Sequence, residues 1–174
     1  MSLSLSEFNR LVSEHGPAVY RLAYRLVGDW HEAEDIVQET FRSVWKSRGR
    51  YQPGRGDRAW LAAILRRRVA DCRRRRSWWP ARPLLADDEP AIDGDRLPND
   101  GYTDEMQQAL RRLPNELRET LLLVVVGELT HQEAADVLKV PLGTVLSRVS
   151  RARQQLRQHL ISIGRESPTL GGRG

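Results

Sequence analysis

Ser147, Ser150 and Gln154 recur at intervals of three and four residues, with Leu146 and Arg151 beside them. Turned at roughly 100° per residue, they share one side of a helix. Val145, Val149, Ala152, Leu156 and Leu160 make the apolar stripe on the other. Hydroxyls and an amide can hydrogen-bond to base edges, and an arginine carries a fork of donors suited to guanine. A helix of this kind can enter a DNA major groove when a short turn holds it on a supporting helix. The preceding residues supply that support. Thr130 and Glu133 have the spacing of a capping box. Ala134, Val137 and Leu138 then recur at helical spacing, and Lys139, Val140 and Pro141 break the run.

A second chemistry sits in Trp60 to Arg76, WLAAILRRRVADCRRRR. Trp60, Leu61, Ile64 and Val69 can form a core stripe, while Arg66, Arg67, Arg68 and Arg73, Arg74, Arg75, Arg76 make a dense basic face. Such a face neutralises phosphates and gives salt-dependent binding. Tyr51, Trp60, Trp78 and Trp79 bracket it, and basic residues interleaved with aromatics suit unpaired bases, which stack on rings. Trp60 reads first as a core tryptophan; Trp78 and Trp79 suit anchoring of the following segment as well as stacking. A third pattern is Glu32 to Lys46, where Asp35, Gln38, Glu39 and Arg42 oppose an apolar side. Its plain reading is a solvated face; its functional reading is a docking surface for a partner helix.

The elements that must carry these groups read as helices. Leu5 to His15 is short and amphipathic. Pro17 stands where a second helix begins, running from Ala18 to Val27, with Gly28 as its left-handed end. Asp29 and Glu32 signal a cap, and the helix to about Ser47 turns Ala33, Val37, Phe41 and Val44 to one face. Gly49 to Gly56 is a loop, and Asp57 can cap the helix from Arg58 to about Arg76. Residues 77–102 hold four prolines and six acidic residues, which reads as a flexible acidic linker. Asp104 to Leu113 and a Pro114-led helix to Val126 precede the helix-turn-helix, and 164–174 reads as a frayed, disordered tail. The expectation is an all-α chain of two small helical lobes, four helices in each, with domains 1–76 and 103–163.

Charge and composition narrow the partners. The 174 residues carry a net charge of +5, unevenly placed. Phe41 to Arg82 has 14 basic and two acidic residues, and Val137 to Arg165 has six basic and none acidic, so two separate polyanion contacts are expected. Cys72 is the only cysteine, so no internal disulfide forms. His15, His31, His131 and His159 show no ligand spacing, so no metal or other cofactor is expected. No apolar run approaches the ~20 residues of a membrane span, and the N-terminus lacks the pattern of a signal peptide. A soluble cytoplasmic protein is the default.

With these residues in view, the chain resembles a bacterial sigma factor of the extracytoplasmic-function (ECF) group of the sigma-70 family. Glu32–Lys46 is similar to that family's polymerase-binding helix and Trp60–Arg76 to its promoter −10 helix. Leu110–Leu160 is similar to its −35 domain, through Leu113-Pro114, Arg118, Glu133-Ala134-Ala135, Gly143-Thr144-Val145, Ser147-Arg148 and Arg151-Ala152-Arg153. The resemblance covers about 6–76 and 104–160, both halves in order. It implies a non-catalytic subunit of RNA polymerase that recognises −35 and −10 elements and promotes melting. Asp35, Gln38, Glu39 and Arg42 would meet core polymerase, whose clamp coiled coil and flap are the implied contacts. The loop at 49–56 would hold a flipped −10 base. Tyr51, Trp60, Arg66, Arg67 and Arg73–Arg76 form the −10 set. Leu146, Ser147, Ser150 and Arg151 take base-reading −35 positions, Arg148 and Arg153 hold phosphates, and Thr144 joins them. An anti-sigma factor is a further implied partner, and the free chain is expected to be a monomer.

Departures from that pattern are Arg67 where Asn is usual, Ala62 and Ala63 where larger side chains are usual, and the stretch at Asp57, near which the family usually has a further aromatic. Leu146 replaces a usual basic residue; it can touch a thymine methyl but cannot make a bidentate contact to guanine. Pro141 replaces a capping Ser, and Thr144 is the candidate to tie down that end. Two rivals remain. A helix-turn-helix regulator acting without polymerase would share the second lobe but read a palindrome as a dimer, and the basic-aromatic block argues against it. A nuclease needs carboxylates clustered for metal, whereas the acidic residues here gather mostly in the Pro-rich segment.

Overall fold

A computed structural model of the chain describes residues 2–52, 56–78 and 103–166. Every regular element among them is helical: α1 Leu5–Val27, α2 Trp30–Lys46, a 3-10 turn Arg48–Arg50, α3 Asp57–Trp78, α4 Asp104–Arg112, α5 Asn115–Val125, α6 His131–Leu138 and α7 Leu142–Glu166. The expected linker lies almost wholly outside the described residues, as do Trp79 and 167–174.

The first lobe has three helices where the sequence suggested four. Ser4 caps α1, its hydroxyl accepting from the Glu7 backbone N–H at 3.3 Å while Glu7 Oε2 accepts from the Ser4 N–H at 2.8 Å. The helix then continues through Pro17 without a break. An interior proline costs about 3 kcal/mol. Leu11, Val19, Leu22 and Leu26 lie buried on both sides of it. Each such side chain is worth about 1.5–3 kcal/mol when fully buried, so one continuous apolar stripe outweighs the local break. Gly28 ends α1 in the left-handed region at φ 74°, its N–H donating to the Tyr24 carbonyl at 2.7 Å. A side chain there would also meet the Arg111 guanidinium at 2.8 Å.

Asp29 opens α2 by accepting from the Glu32 N–H at 2.9 Å. Ala33, Ile36, Phe41 and Val44 face α1 and α3 from within, and α3 answers with Leu61, Ile64, Leu65 and Val69. In the second lobe Thr130 and Glu133 form the expected reciprocal capping box. Lys139 ends α6 in the left-handed region at φ 55°, turning the chain into α7. Val145, Val149 and Ala152 seat α7 in the core, and the helix runs past the expected boundary at 163 to Glu166.

The two lobes share one apolar core. Across the seam Arg25, 4% exposed, donates to Gln107 Oε1 at 3.0 Å. Arg111 donates to the Gly28 carbonyl at 2.6 Å, Arg66 pairs with Glu119 at 2.9 Å, and Arg58 with Glu128 at 2.5 Å. Gln107→Leu removes an acceptor from a buried guanidinium and is expected to lower unfolding free energy by about 1–3 kcal/mol, whereas Gln107→Glu keeps the acceptor and the stability. Urea denaturation followed by helical circular dichroism checks this; an unmoved midpoint for the leucine variant would show that other contacts carry Arg25.

Candidate nucleic-acid interface

The turn at Lys139 sets α7 against α4, α5 and α6. Burial of Val145, Val149 and Ala152 fixes its rotation. Leu146, Ser150, Arg151 and Arg153 therefore face solvent, and Thr144, Ser147 and Arg148 are half-buried at the margins. Arg151 donates to Ser147 Oγ at 3.2 Å, which holds the guanidinium along the outward face. Arg148 donates to Glu116 of α5 at 3.3 Å. The Ser147 hydroxyl donates back to the Thr144 carbonyl at 3.2 Å. At the start of α7 the Pro141 carbonyl accepts the N–H groups of Thr144 and Val145. All seven residues of the expected −35 set thus lie on one helix, with its outward face open.

The expected −10 set is more divided. A groove of about 640 Å³ runs between α2 and α3, lined among others by Lys46, Arg50, Trp60, Arg67, Arg68 and Arg74. Trp60 and Arg67 bring an aromatic face and a charge to it, and Arg67 is exposed. Tyr51 does not offer a ring face: it is 5% exposed, packed 5.3 Å from the Trp60 ring. Burial, then its hydrogen bond to Asp57, pushes its hydroxyl above the usual tyrosine range. Its place is beside Trp60, tilted 44° to that ring and more deeply buried. Residues 53–55 of the expected base-holding loop lie outside the described residues.

Four of the basic side chains have partners within the chain, although Arg74 and Arg76 stay exposed. Arg66 meets Glu119 of the other lobe, and Arg73 donates to the Leu26 carbonyl at the end of α1 at 3.2 Å. Arg74 pairs with Asp71, and Arg76 with Glu32. Glu116, Glu119 and Glu128 are partners that the sequence does not reveal. They lie 32 to 70 positions from the arginines they meet, and no local spacing signals such a pair. Lys46 and Arg50 belong to the basic block by composition; only the fold shows that they line the groove.

On α2, Asp35, Gln38 and Arg42 are exposed and Glu39 is half-buried, with Arg42 pairing to Glu39 at 2.5 Å. The four share an outward face opposite Ala33, Ile36 and Val44. One turn earlier Glu32 is drawn inward. Burial pushes its carboxyl above the usual value of 4.5, and Arg76 offsets this only in part. Its Oε2 is buried without a hydrogen-bond partner.

A helix-turn-helix lobe with an open reading face, joined to a lobe with a basic, aromatic-lined groove, defines a DNA-binding transcription protein. Comparison with known proteins specifies which. Residues 11–79 match Sigma-70 region 2, and residues 103–156 match Sigma-70, region 4. The ECF RNA polymerase sigma factor SigE of Mycolicibacterium smegmatis is 38% identical over 169 residues, covering 94% of this chain; the chain spans 65% of that protein's length. The ECF RNA polymerase sigma factor EcfG of Rhodopseudomonas palustris is 32% identical over 156 residues, covering 86% of this chain and 83% of that protein. Among solved structures, the sigma factor RpoE of Bartonella quintana, in complex with the anti-sigma factor NepR, superposes with a TM-score of 0.73 at 25% identity, covering 90% of this chain and 98% of that one. The chain belongs to the ECF group of RNA polymerase sigma factors, which are transcription initiation factors.

Glu32 has a sign that can be tested. Its folded proton affinity is raised, so ionisation costs native stability once pH passes 4.5, the value expected in the unfolded chain. Below that pH the side chain is protonated in both states and the cost vanishes. Glu32→Gln is expected to gain stability relative to the parent as pH rises from about 4.5 toward neutrality, read as the difference between their urea midpoints. A difference that shrinks with pH would mean that the Arg76 ion pair dominates.

Proposed function

We propose that this sigma factor divides its work between the lobes. Residues 1–76 engage core polymerase and the −10 element, and residues 103–163 read −35 duplex. α2 presents Asp35, Gln38, Glu39 and Arg42 to the polymerase clamp coiled coil, and the second lobe meets the flap. α7 enters the −35 major groove with Leu146, Ser147, Ser150 and Arg151, while Arg148 and Arg153 hold phosphates and Thr144 supports the entry turn. The α2–α3 groove receives unpaired −10 bases on Trp60, with Tyr51 supporting that ring and Arg66, Arg67 and Arg73–Arg76 on the backbone. The observation that carries this reading is one chain bearing both an open recognition helix and a basic groove with an aromatic side chain. The protein acts by binding and carries out no catalytic chemistry of its own.

Promoter geometry then requires the lobes to part. Elements centred about 25 base pairs apart are separated by about 85 Å of B-form DNA. A folded body of this chain length has a radius of gyration of about 16 Å. The stretch from Trp78 to Thr103 can span up to about 80–90 Å fully extended, so an opened chain reaches both. No helix among the described residues is long and apolar enough to cross a membrane, and we place the protein in the cytoplasm, a monomer when free. An anti-sigma factor is a further candidate partner, because a sigma factor of the same fold was captured with one. A regulator that never meets polymerase is disfavoured by the region 2 match preceding the helix-turn-helix lobe.

Capture of core polymerase by the full chain, followed by run-off transcription on genomic fragments, tests the whole reading. Asp35→Arg with Gln38→Ala is expected to weaken capture while costing under about 1 kcal/mol of stability, since both side chains are exposed. Unchanged capture at unchanged melting temperature would return this face to solvent. Replacing Arg73, Arg74, Arg75 and Arg76 by Ala is expected to flatten the salt dependence of promoter binding, by about 0.9 in log–log slope for each phosphate no longer neutralised. An unchanged slope would mean that their intramolecular partners keep them in the complex.

A further inference from the structure

Two large apolar side chains lie open at the start of the recognition helix, far along it from the exposed Ile161. Leu142 is 40% exposed and Leu146 is 48% exposed. They stand four residues apart, so they are neighbours along one line of α7. The buried stripe of Val145, Val149 and Ala152 fixes that line at one edge of the outward face, and Arg151 marks the other edge. Ser147 and Ser150 lie between. Gly143, inside the same turn, has no heavy atom within 4 Å of where a Cβ would stand, so the backbone beside the leucines can approach a surface closely.

We infer that Leu142 and Leu146 form an apolar reading edge for thymine C5-methyl groups in −35 duplex. This rests on the reading of α7 as the −35 helix. The major groove floor is otherwise a field of hydrogen-bond donors and acceptors, and the thymine methyl is its apolar feature. A leucine pair that continues a line of hydroxyls and an arginine sits where such a methyl would be met. Thymine is the occupant because the edge is continuous with the polar reading face, and because residues 142–165 carry five arginines and no acidic residue, a balance that suits a polyanion. The two edges then divide the base pairs: Arg151 favours guanine on its side, and the leucines favour adjacent thymines on theirs.

The test removes only the methyl. The full-length chain selects from a duplex pool randomised across the site, and each thymine of the enriched sequence is replaced in turn by deoxyuridine. The expected result is a loss of affinity of about fourfold at one or two adjacent positions, the worth of one buried methyl group. Leu146→Ala should level thymine and uracil at one of these positions and Leu142→Ala at the next, with the remaining sequence preference unchanged. Equal affinity for thymine and uracil throughout would overturn the inference while leaving the −35 reading intact. So would a methyl preference that survives in the double alanine variant, with capture of core polymerase lost instead; that result would assign the leucines to polymerase. Failure to enrich any sequence would overturn the −35 reading itself, and the inference with it.

Discussion

Eight arginines on α3 repel one another, and the rest of the molecule is arranged around that constraint. A helix so charged is stable only where anions or carbonyls lie within reach. Asp71 serves both Arg68 and Arg74 from within the helix. Glu32 of α2 takes Arg76. The Leu26 carbonyl, at the negative end of α1, takes Arg73. Glu119 and Glu128 reach Arg66 and Arg58 from the other lobe. The folded chain thus supplies acceptors to several of the groups that DNA phosphates would later occupy. If these arginines hold DNA as we propose, binding becomes an exchange of acceptors, so its gain would be smaller than a count of arginines suggests, and its salt dependence would report only exchanges that are completed.

The same constraint explains the seam. Apolar burial joins the lobes, and charged groups from the first find partners on the second. Glu128 sits at the surface, where an ion pair is worth about 0–1 kcal/mol, and Glu119 is half-buried. Arg25 with Gln107 is the buried exception. Closure is therefore held by apolar area and one buried hydrogen bond, while exposed pairs such as Arg58–Glu128 add orientation. An arrangement of that kind can be opened by a partner that offers better contacts to both lobes, the role we propose for a promoter bound to polymerase. On that proposal Arg66 and Glu119 would be released together, one toward phosphate and the other to water.

Much of this is legible in the sequence, and what escapes has a common cause. The capping box at Thr130 and Glu133, the left-handed end at Gly28 and the stripe of Val145, Val149 and Ala152 are local patterns, and the fold keeps them. Pro17 reads as a helix start because propensity is local, whereas the stripe from Leu11 to Leu26 that overrides it is satisfied only by tertiary packing. Tyr51 reads as a stacking ring from its place in a basic, aromatic-rich segment; that it lies buried beside Trp60 is a matter of depth, which composition does not encode. The cross-lobe acceptors at Gln107, Glu119 and Glu128 are invisible for the same reason. Sequence periodicity finds which face of a helix is buried, and leaves open what the other face touches.

Promoter melting is bound by the same logic of competing partners. A sigma factor shifts duplex toward open DNA only through groups that bind unpaired bases better than paired ones. Arginines that hold phosphates meet both forms, so they contribute affinity with little preference. The preference must come from a surface that a paired base cannot reach, and in the function we propose the face of Trp60 in the α2–α3 groove would be that surface. Tyr51, packed 5.3 Å from that ring, would reduce the ordering cost when a base stacks on it. In the function we propose the two lobes would then play unequal roles: α7 would determine where the protein sits, and the groove how far the duplex beside it opens.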